Sequence, residues 1–249
     1  MVGTRHTQSP AIGARRNVTE KPTLSIVIPA LNASKTLPSC LAALRLVGRA
    51  GLPHEILIAD GGSSDSTVAL AKQAGAHIVT AERGRGRQLR AGGQAARGDW
   101  LLFLHADTIL AGDWPDAIAG FIAGPANRQR AAYARLAFDD TRPAYRLIAA
   151  AAMLRSRLLG LPYGDQALLI QRDYYRSLGE YAALPLMEDV ALVRRIGRRN
   201  LILLPGVTAI TSAGRYRRNG AARRVVRNWV CLGAYFLGVP PERIARFYP

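Results

Sequence analysis

The first hundred residues alternate between short apolar runs and stretches in which apolar residues recur at helical spacing. The helical spacing is clear from Leu37 to Val47, where Ser34 is the expected helix cap. Further helices are expected to about residue 74 and to about residue 97. Apolar runs with the length of strands occur at 24–29, 55–60, 76–81 and 100–104. This β-α-β-α order predicts an α/β fold with one mostly parallel, twisted sheet and helices on both faces.

The order loosens after residue 108. Strands are expected at 131–138, 166–171 and 201–207, and helices at 114–123, 145–159, 188–196 and 221–237. No internal repeat is visible. We therefore predict a flexible basic tail over 1–20 and one domain over 21–249, ending in a basic amphipathic helix.

The stretch from Trp100 to Asp107 is the centre of the predicted sheet. Five apolar residues run to Leu104, which predicts a strand buried on both faces. Ligands bind at the carboxyl ends of such strands. Asp107 is thus placed to ligate a cation on a diphosphate, and Asp60, after a neighbouring strand, to accept hydrogen bonds from a nucleoside. The alternative is that both aspartates only form turns.

Composition narrows the class of protein. The formal net charge is +17, which favours contact with nucleic acid, anionic lipid or phosphorylated small molecules. The two cysteines are far apart, so neither a disulfide framework nor a zinc site is indicated. No apolar run reaches transmembrane length and residues 1–20 lack the apolar segment of a signal peptide, so a cytoplasmic location is expected.

Two common nucleotide-binding motifs are missing. The first strand-to-helix turn, residues 29–32, contains no glycine, whereas a Rossmann dinucleotide site needs its glycine fingerprint there. The glycines at 84 and 86 come too late in the chain and lack a third partner. No Walker A loop occurs.

Three motifs occur in a recognisable order: 25–32 (SIVIPALN), 60–67 (DGGSSDST) and 105–107 (HAD). Together they resemble the family 2 glycosyltransferases, which have the GT-A fold. Residues 84–88 (GRGRQ) with 102–108 (LFLHADT) further resemble a bacterial branch described as arsenosugar-biosynthesis-like. The resemblance covers roughly 23–248. It implies transfer of a sugar from a nucleoside-diphosphate donor of the UDP or GDP type to an unidentified hydroxyl acceptor.

The resemblance also implies roles for residues of the donor side. Asp60 would hydrogen-bond the base or ribose, and Asp107 would be the ligand of Mg²⁺ or Mn²⁺. The family usually has Asp-X-Asp where this chain has His105, Ala106 and Asp107, so one carboxylate of the pair is replaced. The remaining residues expected to line the nucleotide pocket are Pro29, Ala30 and Asn32.

The pair Glu188 and Asp189 matches the family's Glu-Asp motif, in which the aspartate is the general base. An inverting transfer needs such a carboxylate to take the proton of the attacking hydroxyl. The alternative is that both acids only complement a helix dipole. The acceptor side would be shaped by Gly164, Asp165 and Gln166, unless this segment is a plain turn.

Arginines add contacts that are less specific. Arg85 and Arg87, in a predicted flexible loop, could each bind a donor phosphate, although surface solvation is the competing interpretation. The resemblance adds Arg215, which lies where GT-A enzymes often close a C-terminal loop over the diphosphate. In the last predicted helix an apolar stripe lies beside arginines. This stripe could pack on the domain or touch the inner face of a membrane peripherally, and packing is the favoured interpretation. The stripe comprises Val225, Val226, Trp229, Leu232 and Phe236.

Two other functions remain open at this stage. A nucleotidyltransferase on a related sheet would usually carry a glycine-rich first turn with Arg and Lys, which this chain lacks. A non-enzymatic nucleic-acid binder would explain the net charge but not the acidic strand ends. A metal-assisted, inverting glycosyltransferase is therefore the first hypothesis, and no nucleic-acid partner is expected.

Overall fold

The computed structural model describes residues 23–247, apart from the side chains of residues 215, 218 and 219. The tail predicted over 1–20 lies outside the described residues. The strands are β1 Leu24–Ala30, β2 His54–Asp60, β3 His77–Thr80, β4 Trp100–Phe103, β5 Thr108–Ala111, β6 Ala131–Phe138, β7 Leu168–Gln171 and β8 Leu201–Thr211. They form one sheet in the order β3-β2-β1-β4-β7-β6-β8-β5.

The helices are α1 Leu37–Leu44, α2 Thr67–Gln73, α3 Arg85–Ala95, α4 Trp114–Ala123, α5 Pro143–Leu159, α6 Arg172–Ser177, α7 Glu188–Ile196, α8 Gly214–Asn219, α9 Ala221–Phe236 and α10 Pro241–Arg246. Short 3₁₀ turns follow α1 and α4 and precede β7 and β8.

The sheet is parallel in the half that begins the chain. Strands β3, β2, β1 and β4 are all parallel, because each is connected to the next through a helix. Strand β7 then pairs antiparallel with both β4 and β6, and β5 pairs antiparallel with β8. The predicted α/β class with a mostly parallel sheet is confirmed.

Helices cover both faces of the sheet, as predicted. Alternate residues of β1 point to opposite sides, so that Ile26 and Ile28 belong to one core and Val27 to the other. The first core is packed against α1, α2 and α4, and the second against α3, α6 and α7. All four residues of β4 are buried, which confirms a central strand with no solvent-exposed face.

Several element boundaries differ from the predictions. The cap predicted at Ser34 is wrong: α1 begins at Leu37, and the Ser34 amide instead donates to the Asp65 carboxylate at 3.1 Å. Strand β7 begins only at Leu168, because Gln166 lies in the preceding 3₁₀ turn. Strand β5 and the short helices α6, α8 and α10 were not predicted, since each has six residues or fewer and lacks a full apolar period.

The predicted packing of the last helix is wrong in its details. The buried residues of α9 are Arg224, Cys231 and Leu232, whose spacing defines the face turned toward α7 and α10. Val226 and Trp229 lie on the other side and are 61% and 49% exposed. The stripe is therefore split, because the domain covers α9 from one side only.

Candidate active site

The turns that follow β1 and β2 are joined at the carboxyl edge of the sheet. The Asn32 Oδ1 atom accepts hydrogen bonds from the amide of Ser64 at 2.9 Å and from its hydroxyl at 3.3 Å. The Asp60 carboxylate accepts from the amides of Gly62 and Ser63 at 3.1 and 3.0 Å and is itself buried. These bonds fix the shape of the edge at which ligands bind in α/β sheets.

A cleft of about 540 Å³ opens at this edge, between the turn after β1, the start of α3 and the turn after β4. Gln88 connects α3 to the strand ends beneath this cleft. Its side-chain amide donates hydrogen bonds to the carbonyl oxygens of Ala30 at 2.6 Å and Ala59 at 2.9 Å. Six residues predicted for the donor side line this cleft: Pro29, Asn32, Arg85, His105, Ala106 and Asp107.

The other residues predicted for the donor side are placed differently. Ala30 lies beneath the cleft, 2% exposed, and Asp60 does not line its wall. Arg87 pairs at 2.9 Å with Glu82 on the surface. The backbone of Arg215 lies in α8, and its side chain is outside the described part of the chain. The predicted flexible loop around Arg85 and Arg87 is wrong, because both residues belong to the first turn of α3.

A second cavity, of about 360 Å³, adjoins the first. Its walls come from α5, the turn at 163–165, residues 186–189 and α9. The two cavities share four lining residues, Arg85, His105, Asp107 and Ser212. Asp107 thus lies at the junction of a polar cleft and a cavity whose far walls are largely apolar.

Asp189 lines the second cavity, where backbone amides hold its carboxylate. Its Oδ2 atom accepts from the Gly164 amide at 3.0 Å, and its Oδ1 atom accepts from the Val190 amide at 2.7 Å. A Cβ at Gly164 would lie 2.5 Å from the His105 Nε2 atom, so only glycine lets the turn approach the imidazole this closely. His105, Gly164 and Asp189 therefore form one continuous wall.

Glu188 lies behind Asp189 and is 2% exposed. Burial raises its pKa to about 7, against the opposing effect of the Arg85 guanidinium and with a further rise from Asp189. The Arg85 Nε atom lies 3.3 Å from Glu188 Oε1. The start of α3 can pack this closely against Glu188 because residue 86 is glycine. A Cβ at Gly86 would overlap the Ala182 carbonyl oxygen and lie 3.1 Å from the Glu188 Cβ.

Asp165 is the fourth carboxyl group that lines the second cavity, after Asp107, Glu188 and Asp189. Burial raises its pKa to about 6, with the charges of Asp189 and Asp107 adding to the rise and Arg155 opposing it. Its Oδ1 atom is enclosed and has no hydrogen-bond partner. Gln166, in contrast, is completely buried and accepts from the Ser156 hydroxyl at 2.7 Å, so its side chain holds the turn and does not line the cavity.

The protein offers a metal ion few ligands at Asp107, which suits a cation that is also coordinated by a bound substrate. The described residues contain no cluster of three or more His, Cys, Asp or Glu side chains that could hold a metal ion. Mg²⁺ and its analogues are commonly bound through one or two carboxylates together with substrate phosphates and water. A single carboxylate at the junction of the cavities fits that arrangement, and the predicted metal ligand is the one acid that lines both.

Both the sequence and the fold of the chain are similar to those of known proteins. Residues 25–160 match the model of the family described as glycosyl transferase family 2. This match covers more than half of the chain. The chain belongs to glycosyl transferase family 2. The matched segment contains most of the residues that line the first cleft, but it ends before Ser212 and Gly214 of that cleft and before Asp165, Glu188 and Asp189.

The curated relatives match over a limited part of their length. A dolichyl-phosphate beta-glucosyltransferase of Drosophila melanogaster is 37% identical over 99 residues, which are 34% of this chain and 30% of that protein. A glucosyl-3-phosphoglycerate synthase of Mycolicibacterium paratuberculosis is 35% identical over 97 residues, 35% of this chain and 29% of the relative. The chain thus aligns with less than a third of either relative.

Solved structures share the fold. Glucosyl-3-phosphoglycerate synthase from Mycobacterium tuberculosis, in complex with Mn²⁺, UDP and glucosyl-3-phosphoglycerate, has a TM-score of 0.51 and 20% identity, covering 77% of this chain and 70% of that one. Staphylococcus aureus TarS 1–349 in complex with UDP has a TM-score of 0.58 and 15% identity, covering 77% and 61%. At these identities the likeness shows the fold alone. The finer branch suggested by the sequence stays a prediction.

Sequence reasoning missed the residues of α5 and α9 that line the second cavity. The Arg155 guanidinium stacks 3.4 Å from the centre of the Tyr163 ring and donates to the Leu161 carbonyl oxygen at 3.0 Å. Arg224, only 9% exposed, lies 5.1 Å from the Tyr216 ring. Both arginines interrupt an otherwise apolar helical face, and this interruption was the available signal.

Proposed function

We propose that this chain is a metal-assisted, inverting glycosyltransferase that transfers a sugar from a nucleoside diphosphate to a hydroxyl acceptor. The donor would occupy the cleft at the carboxyl ends of β1, β2 and β4, and the acceptor would occupy the adjoining cavity. The observation that carries the proposal is the meeting of these two cavities at Asp107, with Asp189 on the wall of the second.

The donor cleft suits a nucleotide because its rim combines backbone turns with polar side chains. We assign the nucleoside to Pro29, Ala30, Asn32 and Asp60, where Ala30 and Asp60 act by shaping the two turns from beneath. Asp60 could reach the ribose or base only if the amides of its own turn release it in part. The diphosphate would lie nearer α3, where Arg85 lines the cleft and where Arg87 and Arg215 are further candidates.

Asp107 would hold Mg²⁺ or Mn²⁺ together with oxygens of the donor. When bound, the ion neutralises charge that develops on the departing diphosphate. Burial raises the pKa of the nearby Cys40 thiol to about 12, and the Asp107 carboxylate adds to that rise. His105 stands beside it, in contact distance of the turn at Gly164.

Asp189 would act as the general base. The acceptor hydroxyl gives its proton to the Asp189 carboxylate, its oxygen bonds to the anomeric carbon, and the bond from that carbon to the diphosphate oxygen breaks. The two amides that bind Asp189 fix the orientation of its carboxylate. Glu188 is buried behind it and is a positioning residue, because it holds Arg85 at the cavity junction. Gly164 and Asp165 would border the acceptor, and Gln166 would keep their turn in place.

Ligand binding is tested first, by thermal denaturation of the full chain with UDP, GDP and their sugar conjugates, with and without Mn²⁺. A ligand that binds only the folded state raises the melting temperature. We expect one nucleoside diphosphate to do so more strongly with Mn²⁺, and Asp107→Asn to remove the effect of the metal. Equal stabilisation by all nucleotides, unaffected by Asp107→Asn, would contradict the assignment of the cleft.

Turnover is tested by release of nucleoside diphosphate from the donor so identified. Removing a general base commonly lowers the rate by a factor of about 10² to 10⁴, and we expect Asp189→Asn to do so while donor binding persists. Asp116→Asn is the matched control, since Asp116 is exposed on α4 and lines neither cavity. Undiminished turnover in Asp189→Asn would exclude it as the base, and pyrophosphate release from a nucleoside triphosphate would favour a nucleotidyltransferase.

A further inference from the structure

The exposed apolar side chains are confined to one part of the molecule. Eleven large apolar residues are exposed among those that the structure describes, and none of them lies before residue 147. They are Leu147, Leu154, Leu158 and Leu159 on α5, Val226, Trp229, Val230 and Phe236 on α9, and Leu237, Val239 and Phe247 after α9. We call the eight residues on the two helices the α5–α9 face. Monomeric proteins rarely expose an apolar surface of this kind without a use for it.

The two helices contact each other and share a wall of the second cavity. Leu147 and Trp229 both line that cavity, yet they are 72% and 49% exposed, so they flank its mouth. The α5–α9 face therefore surrounds an opening that leads to the carboxylates of the candidate active site. The helices have 17 and 16 residues, and among the described residues no helix is long and apolar enough to cross a bilayer.

All charged side chains of helices α5 and α9 are arginines. The segments 141–164 and 190–241 contain no Asp or Glu at all. Exposed arginines border the face on both helices, for example Arg157 on α5 and Arg223 on α9. Arg194 places its guanidinium 5.0 Å from the centre of the Phe236 ring, at the end of the face. Two helices that carry apolar side chains and arginines but no acid match the interfacial region of a bilayer with anionic headgroups.

From these observations we infer that the α5–α9 face docks on an anionic membrane surface, with both helices lying in the plane of the interface. The apolar side chains enter the headgroup region while the arginines contact lipid phosphates. The second cavity then opens toward the membrane. An amphiphilic acceptor could present its hydroxyl to Asp189 without leaving the bilayer, and this last clause alone rests on the proposed function.

Trp229 provides a direct reporter of docking. The sequence has three tryptophans, and the other two, Trp100 and Trp114, are 5% and 0% exposed. A change in tryptophan emission on adding vesicles therefore reports mainly on Trp229. We expect a blue shift and co-flotation of the full chain with vesicles of equimolar phosphatidylglycerol and phosphatidylcholine. Binding to pure phosphatidylcholine should be at least about tenfold weaker, and high salt should weaken binding to the anionic vesicles.

Two variants separate the apolar and the charged contributions. Val226→Ser with Val230→Ser keeps the reporter and alters side chains that are 61% and 64% exposed, so the fold is expected to be unaffected. This double variant and Arg223→Gln should each lower vesicle affinity several-fold. Arg49→Gln removes the same charge from an exposed position outside α5 and α9 and should not change it.

Three results would overturn the inference. The first is absence of vesicle binding, and the second is an equal loss of vesicle affinity in Arg49→Gln and Arg223→Gln. The third is a dimer in solution whose Trp229 emission is already blue-shifted and does not change when vesicles are added. The last result would make a second copy of the chain the occupant of the face. Vesicle binding requires neither donor nor metal, so its failure is distinguishable from failure of the nucleotide assays.

Discussion

Replacing Asp165 with asparagine should make the protein more stable at neutral and alkaline pH. Asp165 has an enclosed Oδ1 atom without a hydrogen-bond partner, and burial raises its pKa from 3.8 to about 6. The carboxyl group of the folded protein therefore holds its proton more tightly than that of the unfolded chain. Its contribution to stability is fully present below the unfolded pKa and is lost as the pH rises through about 6. Asparagine has nearly the same shape and does not titrate.

The expected gain in the free energy of unfolding can be calculated from the rise in the pKa of Asp165. At about 1.36 kcal/mol for each pKa unit, the rise corresponds to an upper limit of about 3 kcal/mol. Solvent screening at the partly exposed side chain lowers this, so we expect a gain of about 1–2 kcal/mol in the free energy of unfolding near pH 8. Near pH 4 the difference between the variant and the parent should be close to zero.

The assay is urea denaturation of both proteins, followed by circular dichroism at several pH values between about 4 and 8, without nucleotide or metal. Asp116→Asn serves as the control for the loss of an exposed carboxylate. The reasoning is refuted if Asp165→Asn is less stable than the parent near pH 8. It is equally refuted if the difference between the two does not change with pH.

Three other predictions concern glycines and a buried acid. Gly86→Ala should lower the free energy of unfolding by about 1–3 kcal/mol, because its Cβ would overlap a backbone carbonyl oxygen, whereas Gly120→Ala in open space on α4 should raise it slightly; thermal denaturation distinguishes them. Gly164→Ala should lower turnover strongly and the melting temperature only slightly, since its Cβ displaces the His105 imidazole. Turnover and a melting temperature equal to those of the parent protein would contradict this. Glu55→Gln should be destabilising near pH 7 and lose that effect in acid: burial raises the pKa of Glu55, but hydrogen bonds from neighbouring groups outweigh it, so its net pKa is lowered and its contribution disappears as the pH falls.

The parallel half of the fold could be predicted because local patterning decides it. The strands β1, β2 and β4 each contain a continuous run of at least four apolar residues. Helices α4 and α7 begin and end at the predicted residues, since their apolar periods are complete. Short elements such as β5 were missed because four residues carry no period of their own. Strand β5 exists through its pairing with β8, a contact between residues about one hundred positions apart.

The candidate site was predictable in its residue types but not in its surroundings. Asp107 and Asp189 line one cavity as the motifs suggested. The Asp60 carboxylate instead accepts a hydrogen bond from the Gly62 amide of the turn that follows it. The raised pKa values of Asp165 and Glu188 arise from burial by distant parts of the chain. The exposed side of α9 could not be predicted for the same reason. Contacts with α7 and α10 determine which side of α9 is buried, and the sequence of the helix alone does not specify those contacts.

The single helix α3 has a consequence for how such a protein could acquire new acceptors. Through Gln88 its first turns are bonded to the ends of β1 and β2, and through Arg85 they reach Glu188 on the opposite side. In the proposed function, the ends of β1 and β2 beside the donor and the acid pair beside the acceptor are thereby joined through one helix. The walls contributed by α5 and α9 do not belong to this unit, so under the proposed function we expect that exchanging them would change the acceptor while leaving the residues assigned to the sugar donor in place.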